Sequence, residues 1–473
     1  MNAYYYYWNM DYYSYVGGEE FGLSKDRRGE FYIYQMRQIL ARYYLERLSN
    51  GLGEIPEINY WQSLPTGYYS SMTFYNGVNF PSRENNYMMY LNKDNARYME
   101  HLFTYEHRIF DAIDAGFFLM PNGEKMAIDK PESIEYLGNL IQMNKDSLGN
   151  MYYYGMMEML AKKLLGGSVQ VMDAYKQIPS VLELFETAMR DPMFYMFYKR
   201  MMHFNDAFVA KMPVYKRSDL MFEGVSVENV EIDKIITYFD KFFADITNAV
   251  DVDITTKDNV KTQMEFKVEI PRLNHVPFNV KMNVKSDKAQ KSIIAMFVGP
   301  KYDSHGKVFD INENRENFWE LDRWMVELTA GDNKIERNSA DFTWFVNDRT
   351  TFYDLYKTLL TAIDGKGEFP LDMSEAHCGF PARLMMPRGR VGGFAVQFYF
   401  MVMPYTAPKT ERYTGFTKEI SCGVGSGARF LDSMPFGYPF NRQFDTNSYF
   451  TPNQYFFDTF VYHKMNDAIK TYY

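Results

Sequence analysis

The stretch Gly29-Glu-Phe-Tyr-Ile-Tyr-Gln-Met-Arg-Gln-Ile-Leu-Ala-Arg-Tyr-Tyr-Leu-Glu-Arg-Leu-Ser-Asn-Gly51 decides how the chain is read. Met36, Leu40, Tyr43, Tyr44 and Leu48 fall at helical spacing and predict one apolar stripe. Glu30 stands in the first turn, where the helix dipole favours a negative charge. Ser49-Asn50-Gly51 supplies the stop, because glycine tolerates the left-handed conformation that ends many helices. The stripe is broad and aromatic. It predicts a helix buried on more than one side.

Outward from that helix, the first half of the chain reads as mainly α. Residues 54–90 are rich in Pro, Gly, Asn and Tyr and predict an irregular excursion. Helical spacing returns at Asn95–Ala115 and in residues 130–148, 151–166 and 180–210, with Pro131 and Pro179 near two of the starts. Pro213 and the polar run Lys216-Arg-Ser-Asp219 mark a change. Residues 232–250 fit a helix through Ile235, Ile236, Phe239, Phe243 and Ile246 and stay ambiguous. From Gln263 the period drops to two, with Met264, Phe266, Val268 and Ile270, then Phe278, Val280, Met282 and Val284. Ile293–Val298, Trp324–Leu328, Phe342–Val346, Phe394–Met403 and Tyr455–Tyr462 add strands, which predicts an antiparallel sandwich or barrel. Gly365–Gly393 reads as a large surface loop.

Composition narrows the function. The 473 residues carry a net charge of −9, so no basic stripe invites nucleic acid. No apolar run reaches the ~18 residues of a membrane span, and Met1-Asn-Ala-Tyr4 lacks the pattern of a secretory signal. Asn-x-Ser/Thr sequons are absent. Aromatics make up 18% of the chain and methionine adds 33 residues, much of this in polar runs such as Tyr4–Tyr7 and Tyr152–Tyr154. A large aromatic core accounts for part of that load. A second reading is a reserve in which composition is itself the product, and a Tyr-rich binding surface is a third.

Arg37–Leu52 closely resembles the corresponding helix of arthropod hemocyanins. With Tyr4–Tyr7 and Lys25-Asp-Arg-Arg-Gly-Glu30, the chain is most similar to their insect relatives, the hexamerins of arylphorin type. Phe185–Pro192, Ser286–Lys291, Asn312–Phe318, Phe369–Pro381 and Pro435–Phe440 extend the resemblance to the end of the chain. It implies a multidomain α+β fold: residues 1–218 as a central helical domain with a four-helix bundle, incomplete at its start, and residues 219–473 as an antiparallel immunoglobulin-like β domain. The family's N-terminal helical domain and signal peptide have no counterpart here, so apolar rings at the start are expected to need a covering domain or subunit. The implied function is a secreted hemolymph storage protein, later held in fat-body granules. It would assemble as hexamers, alone or with related subunits, and be taken up by a fat-body receptor. The alternatives are a type-3 copper oxygen carrier or phenoloxidase, and a carrier of small lipophilic ligands.

Hemocyanins hold two coppers on six histidines, and the resemblance places those positions at Tyr5, Asn9, Met36, Glu158, Lys162 and Tyr198. None is histidine, and phenol, amide and thioether groups do not reproduce a tri-imidazole site. Glu158 and Lys162 predict an i,i+4 ion pair of a few tenths of a kcal/mol. The seven histidines, His101, His107, His203, His275, His305, His377 and His463, offer no pair three or four apart. No metal, cofactor or catalytic residue is therefore expected. Gly423-Val-Gly-Ser-Gly-Ala428 lacks the strand and helix of a dinucleotide site. His377-Cys378 are adjacent in a loop, where a nucleophile and its base seldom converge.

Cys378 and Cys422 are the two cysteines, a weak signal by number, and the resemblance implies that they pair. Closing that loop is expected to stabilise the β domain by ~3–4 kcal/mol. Thiol titration of the unfolded, unreduced protein should find no free sulfhydryl; two would defeat the pairing.

Overall fold

The computed structural model describes residues 1–74, 77–91, 93, 95–167, 178–247, 266–369, 378–410 and 430–464. A helix at Asn2–Asp11 (α1) comes first, and the helix expected from the opening motif follows as Arg28–Ser49 (α2). It stops as read. Gly51 takes φ 70°, and the N–H groups of Gly51 and Leu52 close back on the carbonyls of Leu48 and Arg47. Of its 22 residues, 17 are buried. Ala96–Ala115 (α3), Ile134–Gln142 (α4), Met157–Leu165 (α5) and Met193–Val209 (α6) complete the helical half.

Two glycines set how closely α2 and α4 approach. A Cβ on Gly29 would collide with the carbonyl oxygen of Glu135 and lie 2.7 Å from the amide nitrogen of Asn139. One on Gly138 would collide with the backbone of Gly29. Only glycine permits such an approach of backbone to backbone.

The described residues of the β half form two main sheets and a short parallel pair, Phe345–Val346 with Phe380–Pro381. Val225–Ile232 (β1), Ile235–Asp245 (β2), Lys267–His275 (β3), Asn279–Ser286 (β4), Gln290–Pro300 (β5), Trp319–Leu328 (β6), Gly331–Asn338 (β7), Phe394–Pro404 (β8) and Gln454–His463 (β9) are its main strands. One sheet runs β3-β2-β9-β8-β5-β6 and the other β1-β4-β7. Pairing within them is antiparallel except where β9 meets β2, Val461–His463 against Ile235–Thr237. In β4, Val280, Met282 and Val284 are buried between exposed neighbours, the period of two read from the sequence. From Ile293 to Val298 β5 is apolar at every position because both its faces are covered there. Ile294, Met296 and Val298 join the main core, while Ile293, Ala295 and Phe297 face a second cluster with Tyr399, Tyr438 and Phe440.

Several expectations change. The ambiguous stretch after 232 is strand β2, not helix. Phe342–Val346 reduces to the two-residue strand Phe345–Val346 after a helical turn, and Phe352–Ile363 (α7) is a helix that the reading missed. In residues 180–210, turns occupy the first part and the α-helix begins at Met193. The segment read as a large surface loop contributes Phe380, Met385 and Met386 to the core; Phe380 packs on Tyr4 and Trp319. Within the helical half, Phe117–Leu119 and Lys125–Ala127 form a small hairpin. Residues 54–90 are irregular as read, tied by isolated bridges and a buried Arg83–Asp191 ion pair.

The two halves meet on α2. The Tyr34 hydroxyl donates to Glu320, and Gln38 bonds both the Phe318 carbonyl (3.1 Å) and the Glu320 N–H (2.7 Å). Arg42 donates to the carbonyls of Leu384 (2.8 Å) and Met386 (2.9 Å). Arg390 in turn caps the last carbonyls of α2, Leu48 (2.6 Å) and Ser49 (2.8 Å). Beside this seam, Asp206 of α6 meets Glu316, which pairs with Arg37 and Arg315. One Asp206 oxygen is buried without a donor. Burial, then the Glu316 charge, pushes the Asp206 carboxyl up to about 7.

Two outcomes follow for measurement. Gly29→Ala and Gly138→Ala should each lower stability by about 2–3 kcal/mol in denaturant unfolding, the scale of an overpacked contact. An unchanged midpoint would mean that the α2–α4 crossing relaxes freely. A raised carboxyl favours the folded state while protonated. Its contribution is full below the unfolded value near 4 and is lost as pH rises through about 7. Asp206→Asn should therefore flatten the fall in stability between about pH 4 and 7, read as thermal midpoints across that range.

Candidate functional site

Four of the six positions singled out in the sequence converge inside the helical bundle. Tyr5 comes from α1, Glu158 and Lys162 from successive turns of α5, and Tyr198 from α6. The Lys162 ammonium donates to Glu158 Oε1 (2.7 Å), the Tyr198 hydroxyl (2.8 Å) and the Tyr5 hydroxyl (3.0 Å). Tyr5 and Tyr198 also share a hydrogen bond at 2.9 Å, and Tyr198 donates to Glu158 Oε1 at 2.5 Å. The other two positions play supporting parts. Asn9 Nδ2 donates to the Tyr5 carbonyl at 2.7 Å, and Met36 is wholly buried in the surrounding core.

The sequence reading missed one member. Tyr32 of α2 donates to the second carboxylate oxygen, Glu158 Oε2, at 2.7 Å. It lies one helical turn before Met36, so the same face of α2 points both residues inward. Phe194 and Phe185 wall the cluster, each meeting the Tyr5 ring edge-on. The Glu158–Lys162 ion pair expected from its spacing forms, and it is largely buried; the side chains are 14% and 7% exposed.

Burial opposes both charges, and each charge rescues the other. It pushes the Glu158 carboxyl up, but Lys162 and the phenol donors hold it below the usual carboxylate range. It pushes the Lys162 ammonium down, but Glu158 and then Tyr5 hold it above the usual lysine range. The Tyr32 and Tyr198 phenols are raised well above normal, first by burial and then by the Glu158 charge. At neutral pH Glu158 is therefore a carboxylate, Lys162 an ammonium, and Tyr32 and Tyr198 neutral phenols. No polar atom of the five is left without a partner.

That donor set does not fit the coppers implied by the resemblance. A protonated lysine has three donors and no lone pair to give a metal, and phenols and a carboxylate are hard ligands where copper centres use imidazole. Among the described residues no three His, Cys, Asp or Glu side chains come together as metal ligands. His101 stacks against Tyr105 on α3, and His463 bonds Thr237 in the β half. Cys378 is buried and disulfide-bonded. Cys422, His377 and the Gly423–Ala428 run lie outside the described residues.

Comparison with known proteins agrees with this architecture. The family model for the hemocyanin copper containing domain matches residues 1–205, and that for the hemocyanin ig-like domain matches residues 214–463. Hexamerin-1.1 of Anopheles gambiae is 43% identical over 98% of the chain and 66% of its own length. Arylphorin subunit C223 of Calliphora vicina is 40% identical over all of the chain and 61% of its own length. The chain thus spans less than two thirds of these relatives. Among solved structures, an activated scorpion hemocyanin superposes with a TM-score of 0.84 at 24% identity, over 98% of this chain and 74% of that one, a likeness of fold. The chain belongs to the hemocyanin family, beside the hexamerins and arylphorins.

Proposed function

We propose that this protein is a larval storage protein of insect hemolymph, a reserve of aromatic amino acids and methionine with no enzymatic activity. The observation that carries this reading is the cluster around Lys162. A copper-domain fold is kept, yet an ammonium ion and phenols stand at the positions where oxygen chemistry would need imidazoles. Composition supports the rest: 40 tyrosines, 39 phenylalanines and 33 methionines are a large cargo for one chain. The names of the relatives, hexamerin and arylphorin subunit, support assembly into hexamers, alone or with related subunits. Secretion into hemolymph, uptake through a fat-body receptor and storage in granules belong to the same reading. Among the described residues no helix is long and apolar enough to cross a membrane. The two matched stretches favour a division near 218/219. The disulfide at Cys378 favours Cys422 as its partner, within an oxidising compartment.

Elemental analysis of the purified natural protein should find no stoichiometric copper, and diphenol oxidation should stay at background with or without a copper chelator. Two coppers per chain, or oxidation that the chelator abolishes, would overturn the storage reading. Sedimentation should give a particle of six chains.

A further inference from the structure

The five-residue cluster is more than a hole filled by large side chains. Each hydrogen of the Lys162 ammonium has its own acceptor, and both oxygens of Glu158 are occupied, one by Lys162 and Tyr198 and the other by Tyr32. The participants come from α1, α2, α5 and α6, so one cation touches or orients side chains from four helices. A neutral side chain at 162 would leave a buried carboxylate facing three phenols. A metal would need the ammonium to leave first.

We propose that the Lys162 ammonium is the resident cation of this bundle, and that the pocket it fills is a cation site which accepts a small primary ammonium ion once the lysine is shortened. Every polar atom that meets the ammonium is an oxygen: one carboxylate and the phenols of Tyr5 and Tyr198, with Tyr32 holding the carboxylate from behind. Such a set suits a hard, hydrogen-bonding cation and disfavours copper. The inference is independent of what the protein stores.

Three variants test it. Lys162→Met keeps the volume of the stem and removes the charge, so Glu158 is left buried and uncompensated. The folding equilibrium constant should drop by about 100- to 1,000-fold. Glu158→Gln combined with Lys162→Met removes both charges and should recover most of that loss, because replacing a whole buried pair is often close to neutral. Lys162→Ala should gain thermal stability on adding propylammonium, saturably, while 1-propanol and Cu²⁺ give nothing comparable. The inference falls if Lys162→Met matches the wild type, if propanol rescues Lys162→Ala as well as propylammonium does, or if the double variant is no better than Lys162→Met. Should both single variants fail to fold, the double variant alone decides. Its folding supports a site built for a charge, and its failure means that the lysine acts by packing.

Discussion

Everything in this molecule leans on a helix that is buried around most of its circumference. Most helices bury one stripe and leave the opposite face to water, which supplies partners for whatever is polar. α2 buries 17 of its 22 residues, so most of the polar groups it carries must find partners inside the protein. Its sequence meets the demand by dividing labour around the axis. Tyr32 and Met36 point into the bundle, while Tyr34, Gln38 and Arg42, spaced four apart, point at the β domain and bond Glu320, Phe318, Leu384 and Met386. Several of those partners are backbone carbonyls that would otherwise be orphaned at the ends of short segments. The domain interface is thus a set of satisfied backbone groups as much as an apolar contact. That fixes the β domain in angle as well as in distance.

The cluster around Lys162 obeys the same constraint at higher stakes. Taking a carboxylate and an ammonium out of water costs several kcal/mol per ion, and one contact between them does not offset this. What tips the balance is completeness: three acceptors for the ammonium and three donors for the carboxylate. The phenols do two jobs, since their hydroxyls bond the charges and their rings fill the space between helices. Methionine or leucine at those positions would fill the space but leave the charges bare. The surrounding core of Phe194, Phe197 and Met36 excludes water, which strengthens each of these bonds and makes the loss of any one costly.

Much of this was legible in the sequence. The length and stop of α2, the period-two strands and the change near residue 215 were readable because each is a local pattern: a spacing, a glycine, an alternation. The family resemblance placed Tyr5, Glu158, Lys162 and Tyr198 before any geometry was known. What stayed hidden needed contacts distant in sequence. The segment around Phe380 has the composition of a loop and is buried because α1 and β6 happen to cover it. β2 has the spacing of a helix, and its tertiary partners decide otherwise, β3 pairing along Thr237–Asp245 and β9 along Ile235–Thr237. The burial of the Glu158–Lys162 pair was hidden for the same reason, since a spacing of four gives proximity and says nothing about burial.

The aromatic load divides along the same line between what the fold requires and what it does not. In the run Tyr4–Tyr7, Tyr4 and Tyr5 are buried and the next two are half-buried; in Tyr152–Tyr154 only the last is inside. Tyr5, Tyr32 and Tyr198 could not be exchanged for phenylalanine without leaving a charge or a carboxylate oxygen short of a partner. Tyr152, at 93% exposed, and the exposed Tyr15 and Tyr69 answer to no such demand. A large ring held in water gains nothing from burial, and its presence weakens solubility. Packing therefore explains the rings of the bundle and leaves the surface rings unexplained. A selection acting on composition, indifferent to where each ring ends up, would produce that surplus.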